Sequence, residues 1–319
     1  MDSNIKTVPS LEATSAAEQH PVSLDRPGWP KNLVWATIVL VACFSVPLFR
    51  LVWFAATSEL YSQCLLVPFV SAYLAWLNRG NVWGSSGPNR RFAVFAWSAG
   101  SVLLAGYWLA IWSRWPITNQ DGLAWTISAF VCLFFGMCGW FAGRERLRTM
   151  RFPLCFLVFM VPFPMVVHNW LEGFLQRGSA LTAYGFFQLF GTPVFYSNLN
   201  FQLPGFALQV APECSGIHSS LVLFLTSLVA GHLFLRSPWK GGILALAVLP
   251  LGLLRNGFRI FVIGQLCMHI GPQMIHSVFH RDGGPVFFAL SLVPFFLLLL
   301  LLRRSEQAPA GSTDQQRSS

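Results

Sequence analysis

Residues 241–265 read GGILALAVLPLGLLRNGFRIFVIGQ, an apolar run of the length a helix needs to cross a bilayer, which is roughly 17 to 25 residues. Its second half nevertheless carries Arg255, Asn256 and Arg259. Arginines four apart share one face of a helix, and each costs at least about 2.5 kcal/mol at the centre of a bilayer on insertion scales. Such groups persist where they face a bundle interior or a site, or where they reach the headgroups. Two arginines and an asparagine on one turn point to a membrane helix with a polar site in one half.

Outward from this run the rest of the chain has the same character. It is 319 residues long, 54% hydrophobic and 10% charged, with a mean hydropathy of +0.55, whereas soluble domains carry about a quarter charged residues. Eight apolar stretches have spanning length, at 33–54, 60–77, 92–112, 123–142, 152–168, 217–235, 241–265 and 285–302. The expected fold class is therefore an all-α polytopic membrane protein of about eight transmembrane helices. Pro153, Pro162 and Pro164 make the fifth stretch the least regular. The net charge of +9 sits in short loops and forms no basic face, so no nucleic-acid partner is expected. Basic residues in such loops record orientation instead. One alternating set of loops holds eleven, among them Arg90, Arg144, Arg148, Arg236, Lys240 and Arg303, and the other set only Arg114, Arg177 and Arg281. That asymmetry places both termini in the cytoplasm.

With this orientation the segments 169–216 and 266–284 lie outside. The apolar residues of 169–191 recur at helical spacing between Glu172, Gln176 and Arg177, which predicts a helix lying in the interface. Val194–Tyr196 and Phe206–Val210 flank Asn-rich and Pro-Gly turns and suggest a small extracytoplasmic hairpin. It leads into Cys214, which sits among Pro, Glu, Ser and Gly just before a membrane helix. A helix N-terminus favours a thiolate, and Gly216 allows close approach of another group. The remaining cysteines lie in or at the ends of apolar runs and read as small hydrophobes. His276 and His280 are four apart, followed by Asp282; these three are suitable metal-ligand types, but an acid–base histidine beside a cysteine is the better chemical fit.

These elements resemble the exosortase/archaeosortase family. The resemblance rests on Leu203-Pro-Gly-Phe-Ala-Leu-Gln-Val-Ala-Pro-Glu-Cys-Ser-Gly-Ile-His-Ser, on Arg255-Asn-Gly-Phe-Arg-Ile, and on His280 with Gly284 and Phe287. Flanking stretches agree, including Glu59-Leu-Tyr-Ser-Gln-Cys and Val161-Pro-Phe-Pro, over roughly 30–302. The resemblance implies a membrane-embedded cysteine transpeptidase that needs no cofactor and no metal. It assigns Cys214 as nucleophile, Arg259 as the arginine and His280 as the third member, with Arg255, Asn256 and His276 as supporting or alternative groups. Its substrates are exported proteins with a C-terminal Pro-Glu-Pro-like motif, a transmembrane helix and a basic tail, passed to an amine or lipid acceptor or to water. The resemblance further implies the bacterial inner membrane, with the site on the periplasmic face. Two positions depart from the family pattern. His218 stands where many relatives carry Arg, and Arg-Asp-Gly-Gly follows His280.

A transporter or flippase would also account for the intramembrane arginines, and a non-catalytic assembly factor for exopolysaccharide export would use the loop 169–216 as a partner surface, but neither requires a sulfur at 214. The expected organisation is a disordered cytoplasmic tail over 1–30, a single transmembrane domain over 31–304 and a second disordered tail over 305–319.

Overall fold

A computed structural model describes residues 30–78, 87–197, 199–211, 215–271 and 284–307. The chain is built from helices α1 (Lys31–Cys43), α2 (Ser45–Thr57), α3 (Gln63–Leu77), α4 (Arg90–Trp112), α5 (Asn119–Met137), α6 (Gly143–Thr149), α7 (Arg151–Leu157), α8 (Met165–Leu189), α9 (Ile217–Phe234), α10 (Pro238–His269) and α11 (Gly284–Gln307). A sheet of β1 (Phe195–Ser197), β2 (Asn200–Leu203) and β3 (Phe206–Gln209) lies between α8 and α9 in the chain.

Among the described residues, five helices are long and apolar enough to cross a membrane, and two bent pairs add one span each if each pair counts as one, so five to seven of the eight expected spans have spanning length. The stretch expected at 60–77 is the short one. A turn over Glu59–Tyr61 precedes α3, which has 15 residues. At about 1.5 Å per residue it falls short of a hydrocarbon core of about 30 Å. The two bends follow from proline. Pro47 has no N–H for the carbonyl four residues back, and the chain turns by 71° between α1 and α2. Pro162 and Pro164 end the helix begun by α7, and α8 leaves at 92° to it. The span expected over 152–168 is thus broken in its middle, and the residues expected to begin an interfacial helix at 169 lie inside α8.

The second half of the chain has a legible register. Along α9 and α10, Gly231 meets Gly241, Ser220 meets Gly252, and Gly216 meets Asn256, the signature of an antiparallel hairpin. Gly178, Thr182 and Phe187 of α8 meet Leu253, Gly257 and Gly264 of α10 in that order, so the second halves of α8 and α10 run alongside each other in parallel. The expected hairpin is a three-stranded antiparallel sheet. Phe195 pairs with Gln202 and Phe201 with Leu208. Its middle strand, β2, runs through the residues between the Asn-rich and Pro-Gly turns. Phe201, Leu203 and Leu208 pack on Ala180, Ala183 and Phe187 of α8 and on Ile260 and Phe261 of α10.

The two ends of the bundle differ in chemistry. At one, the Asn89 amide donates to the Gly139 carbonyl at 2.9 Å, and Glu306 accepts from the amides of Arg236 and Ser237 at 2.9 and 3.0 Å. Lys240 Nζ donates to Ser305 Oγ at 2.8 Å. This end collects the basic loops. The opposite end carries the sheet, the start of α9 and the second half of α10.

The α8–α10 seam has a direct test. A Cβ on Gly257 would lie 2.7 Å from Thr182 Cβ and 3.0 Å from the Ala183 amide nitrogen, whereas one on Gly173 would meet nothing within 4 Å. Gly257→Val should cost about 1–3 kcal/mol by overpacking and lower the Tm in detergent by several degrees. Gly173→Ala should leave the Tm unchanged or raise it through helix propensity.

Candidate active site

The site is organised around the first turn of α9. Gly216 is its N-terminal flanking residue, at φ 68°, ψ 18°, a left-handed conformation that a side chain makes costly. Its carbonyl accepts from the Ser220 amide at 3.0 Å and from Ser219 Oγ at 3.1 Å. A Cβ here would lie 3.1 Å from Asn256 Cγ and 3.3 Å from Arg255 Nη2. Glycine is therefore needed twice, for the backbone turn and for the close approach of α10.

Arg255 and Asn256 arrive at this point because α9 and α10 are in antiparallel register. Arg255 is only 8% exposed and Asn256 only 3%. One arm of the Arg255 guanidinium, Nη2, donates a short hydrogen bond to Ser219 Oγ. The other, Nη1, is buried with no hydrogen-bond partner among the described residues. A buried donor left unmatched is costly, and more so when charged. Ser219 links the two elements, since its oxygen accepts from Arg255 while its proton goes to Gly216. Arg259 lies one turn further along α10 and is half-buried.

Of the expected site residues, the structure thus brings Arg255 and Asn256 to the turn that follows Cys214 and Ser215, and puts Arg259 on the next turn. Cys214, His276, His280 and Asp282 lie outside the described residues. Ser219 was not singled out by sequence reasoning. Its signal was its place three residues after Gly216, where a helical hydroxyl reaches back to the preceding turn.

A second polar cluster occupies the same end of the bundle. Gln120 donates from Nε2 to Tyr61 Oη at 2.6 Å and to the Phe163 carbonyl at 2.7 Å. Asp121 Oδ1 accepts from the Met165 amide at 2.8 Å, fixing the start of α8. His168 Nε2 lies 3.7 Å from Glu172. These bonds hold the Pro162–Pro164 bend against the N-terminus of α5.

A model of the transmembrane exosortase family matches residues 53–297. No curated protein and no solved structure matches the chain. Since the match takes in most of the chain, including α9, Gly216 and the Arg255 turn, the protein belongs to the transmembrane exosortase family and is an integral membrane protein.

The double demand on Gly216 is testable against Gly191, which has a φ of +65° but nothing within 4 Å of a Cβ. Gly191→Ala should show only the backbone cost, of about 1–2 kcal/mol. Gly216→Ala adds displacement of Arg255 and Asn256, so its Tm should fall further than that of Gly191→Ala in the same detergent.

Proposed function

We propose that this exosortase is a cysteine transpeptidase acting on exported, membrane-tethered proteins. The observation that carries the reading is the seating of a buried guanidinium, Arg255, against the Gly216 turn two residues after Cys214. A thiol at the edge of lipid would ordinarily be held neutral by the low dielectric. A fixed cation at the adjoining turn offsets this, because arginine stays protonated under all relevant conditions.

In the proposed reaction the Cys214 thiolate attacks a backbone carbonyl of the substrate. Donors from Arg255 or Arg259 stabilise the oxyanion that develops. The tetrahedral adduct collapses with breakage of the C–N bond, and the leaving amine takes its proton from His280 or His276. The product is a thioester on Cys214 and a released C-terminal tail. An amine of a lipid or other envelope acceptor then attacks the thioester and gives its proton to the same histidine, and the C–S bond breaks to release the Cys214 thiolate. Water in place of the amine gives hydrolysis.

The proposed setting is the bacterial inner membrane with both termini cytoplasmic. The excess of basic residues at one end of the bundle supports this orientation. A substrate held by its own membrane helix, with a basic cytoplasmic tail, would bring its scissile bond to the depth of the α9 N-terminus.

The test uses an exported reporter ending in a Pro-Glu-Pro-type motif, a membrane helix and a basic tail, followed by C-terminal mass analysis. Wild type should remove the tail, while Cys214→Ala leaves the reporter full-length. Arg255→Ala should lower the rate by roughly 10²-fold or more if its donor serves the oxyanion. Normal processing by Cys214→Ala would return the chain to a transport or assembly role. Full rates in both Arg255→Ala and Arg259→Ala would remove the arginines from the mechanism.

A further inference from the structure

A cavity of about 180 Å³ lies across α9 from Arg255, lined by Tyr61, Gln63 and Cys64, by Val158, Phe159 and Val161 to Pro164, and by Leu221 and Leu225. Its place follows from helical geometry. Ser219 and Ser220 face α10, while Leu221 and Leu225, one turn apart, face the opposite way. The walls are apolar, and Val158, 47% exposed, forms a lip on the outside of the bundle. Gln63 stands out among the lining residues. It is only 5% exposed, and both its amide atoms are buried with no hydrogen-bond partner among the described residues.

A primary amide offers a donor and an acceptor, and leaving both unmatched in an apolar setting costs folding free energy. Groups that break local rules in this way concentrate at functional sites. The chemistry of the amide selects the partner. A carboxylate or phosphate supplies only acceptors, an ammonium only donors, and an acyl chain neither. A peptide group outside a helix supplies one of each. Nearby, Tyr61 Oη accepts from Gln120 and has its own proton to donate. Burial pushes the Tyr61 phenol above its ordinary range, so it is a donor at any physiological pH. The size agrees as well, since an apolar cavity of about 150 Å³ admits benzene, and this one suits a side chain of leucine or phenylalanine size.

We propose that this cavity is a substrate subsite. It seats one apolar side chain from the non-helical segment of the substrate preceding its membrane helix, with Gln63 hydrogen-bonding the peptide group of that residue. The proposal rests on the reading of the protein as a peptide-processing enzyme. Gln63 is a specificity residue here, in contact with substrate but remote from the reacting carbonyl. The Pro162–Pro164 bend, held by Gln120 and Asp121, gives the subsite a rigid wall.

The experiment uses the full-length protein in proteoliposomes, with benzoylphenylalanine at position 158 and the tailed reporter as probe. Crosslinks should map to the reporter segment just before its membrane helix. Gln63→Leu should cut their yield about 5- to 10-fold while the alkylation rate of Cys214 stays unchanged. The same variant, assayed without reporter, should have a higher Tm, because it removes two unmatched polar atoms. A lower Tm would show that Gln63 is a structural residue, and would overturn the proposal. Crosslinks only to lipid acyl chains, only to the reporter's membrane helix, or none at all would overturn it too. Crosslinking and Tm need no turnover, so these two readouts can be repeated in Cys214→Ala. Crosslinking without tail removal by the wild type would contradict the transpeptidase reading and leave the subsite standing.

Discussion

A guanidinium buried among membrane helices keeps its charge and must be matched, because neither lipid nor apolar side chains can solvate it. Arg255 is matched on one arm by Ser219, packed beside the bare backbone of Gly216, while its other arm has no partner among the described residues. The remainder of the site follows from this packing. The α9–α10 hairpin must hold its antiparallel register, since a slip of one residue would swing Arg255 by about 100° around α10. Small residues along the seam, Gly231 against Gly241 and Ser220 against Gly252, allow the two backbones to approach closely enough to fix that register.

The sheet and α8 serve the same end of the molecule. Phe201, Leu203 and Leu208 clamp the second halves of α8 and α10 together, so the helix carrying Arg255, Asn256 and Arg259 is packed on three sides by α8, α9 and the strands. The Gln176 side chain donates to the Val210 carbonyl at 2.7 Å, tying α8 to the strand exit that leads toward Cys214. Preorganised donors act in catalysis only when they do not move as charge develops, and this framework supplies such rigidity. At the far end Glu306 caps the start of α10 through the Arg236 and Ser237 amides, which anchors the same helix from below.

Much of this was legible in the sequence. Composition and run length identify a membrane protein, and the spacing of Arg255, Asn256 and Arg259 identifies a polar face on α10. Gly216 reads as a close-approach position, and the groups that approach it are the side chains of Asn256 and Arg255. Other features were hidden for physical reasons. Hydropathy is blind to bends, so Pro47 and the Pro162–Pro164 pair concealed two breaks inside apolar stretches. The strand β2 is short and lies between two turns, and the Asn and Pro-Gly signals on either side masked it. Ser219 and Gln63 gave little warning, because a serine in a helix and a glutamine near a loop are unremarkable until their partners, or the lack of them, are seen.

The account turns on Arg255 lowering the cost of a thiolate at Cys214. The most direct measurement is the pH dependence of Cys214 alkylation by a small haloacetamide, in wild type and in Arg255→Met, with Arg255→Lys as the charge-retaining control. The account predicts a wild-type midpoint below the usual thiol value of about 8.5, shifted upward in Arg255→Met and largely recovered in Arg255→Lys. Equal midpoints in wild type and Arg255→Met, in protein with an unchanged Tm, would contradict it.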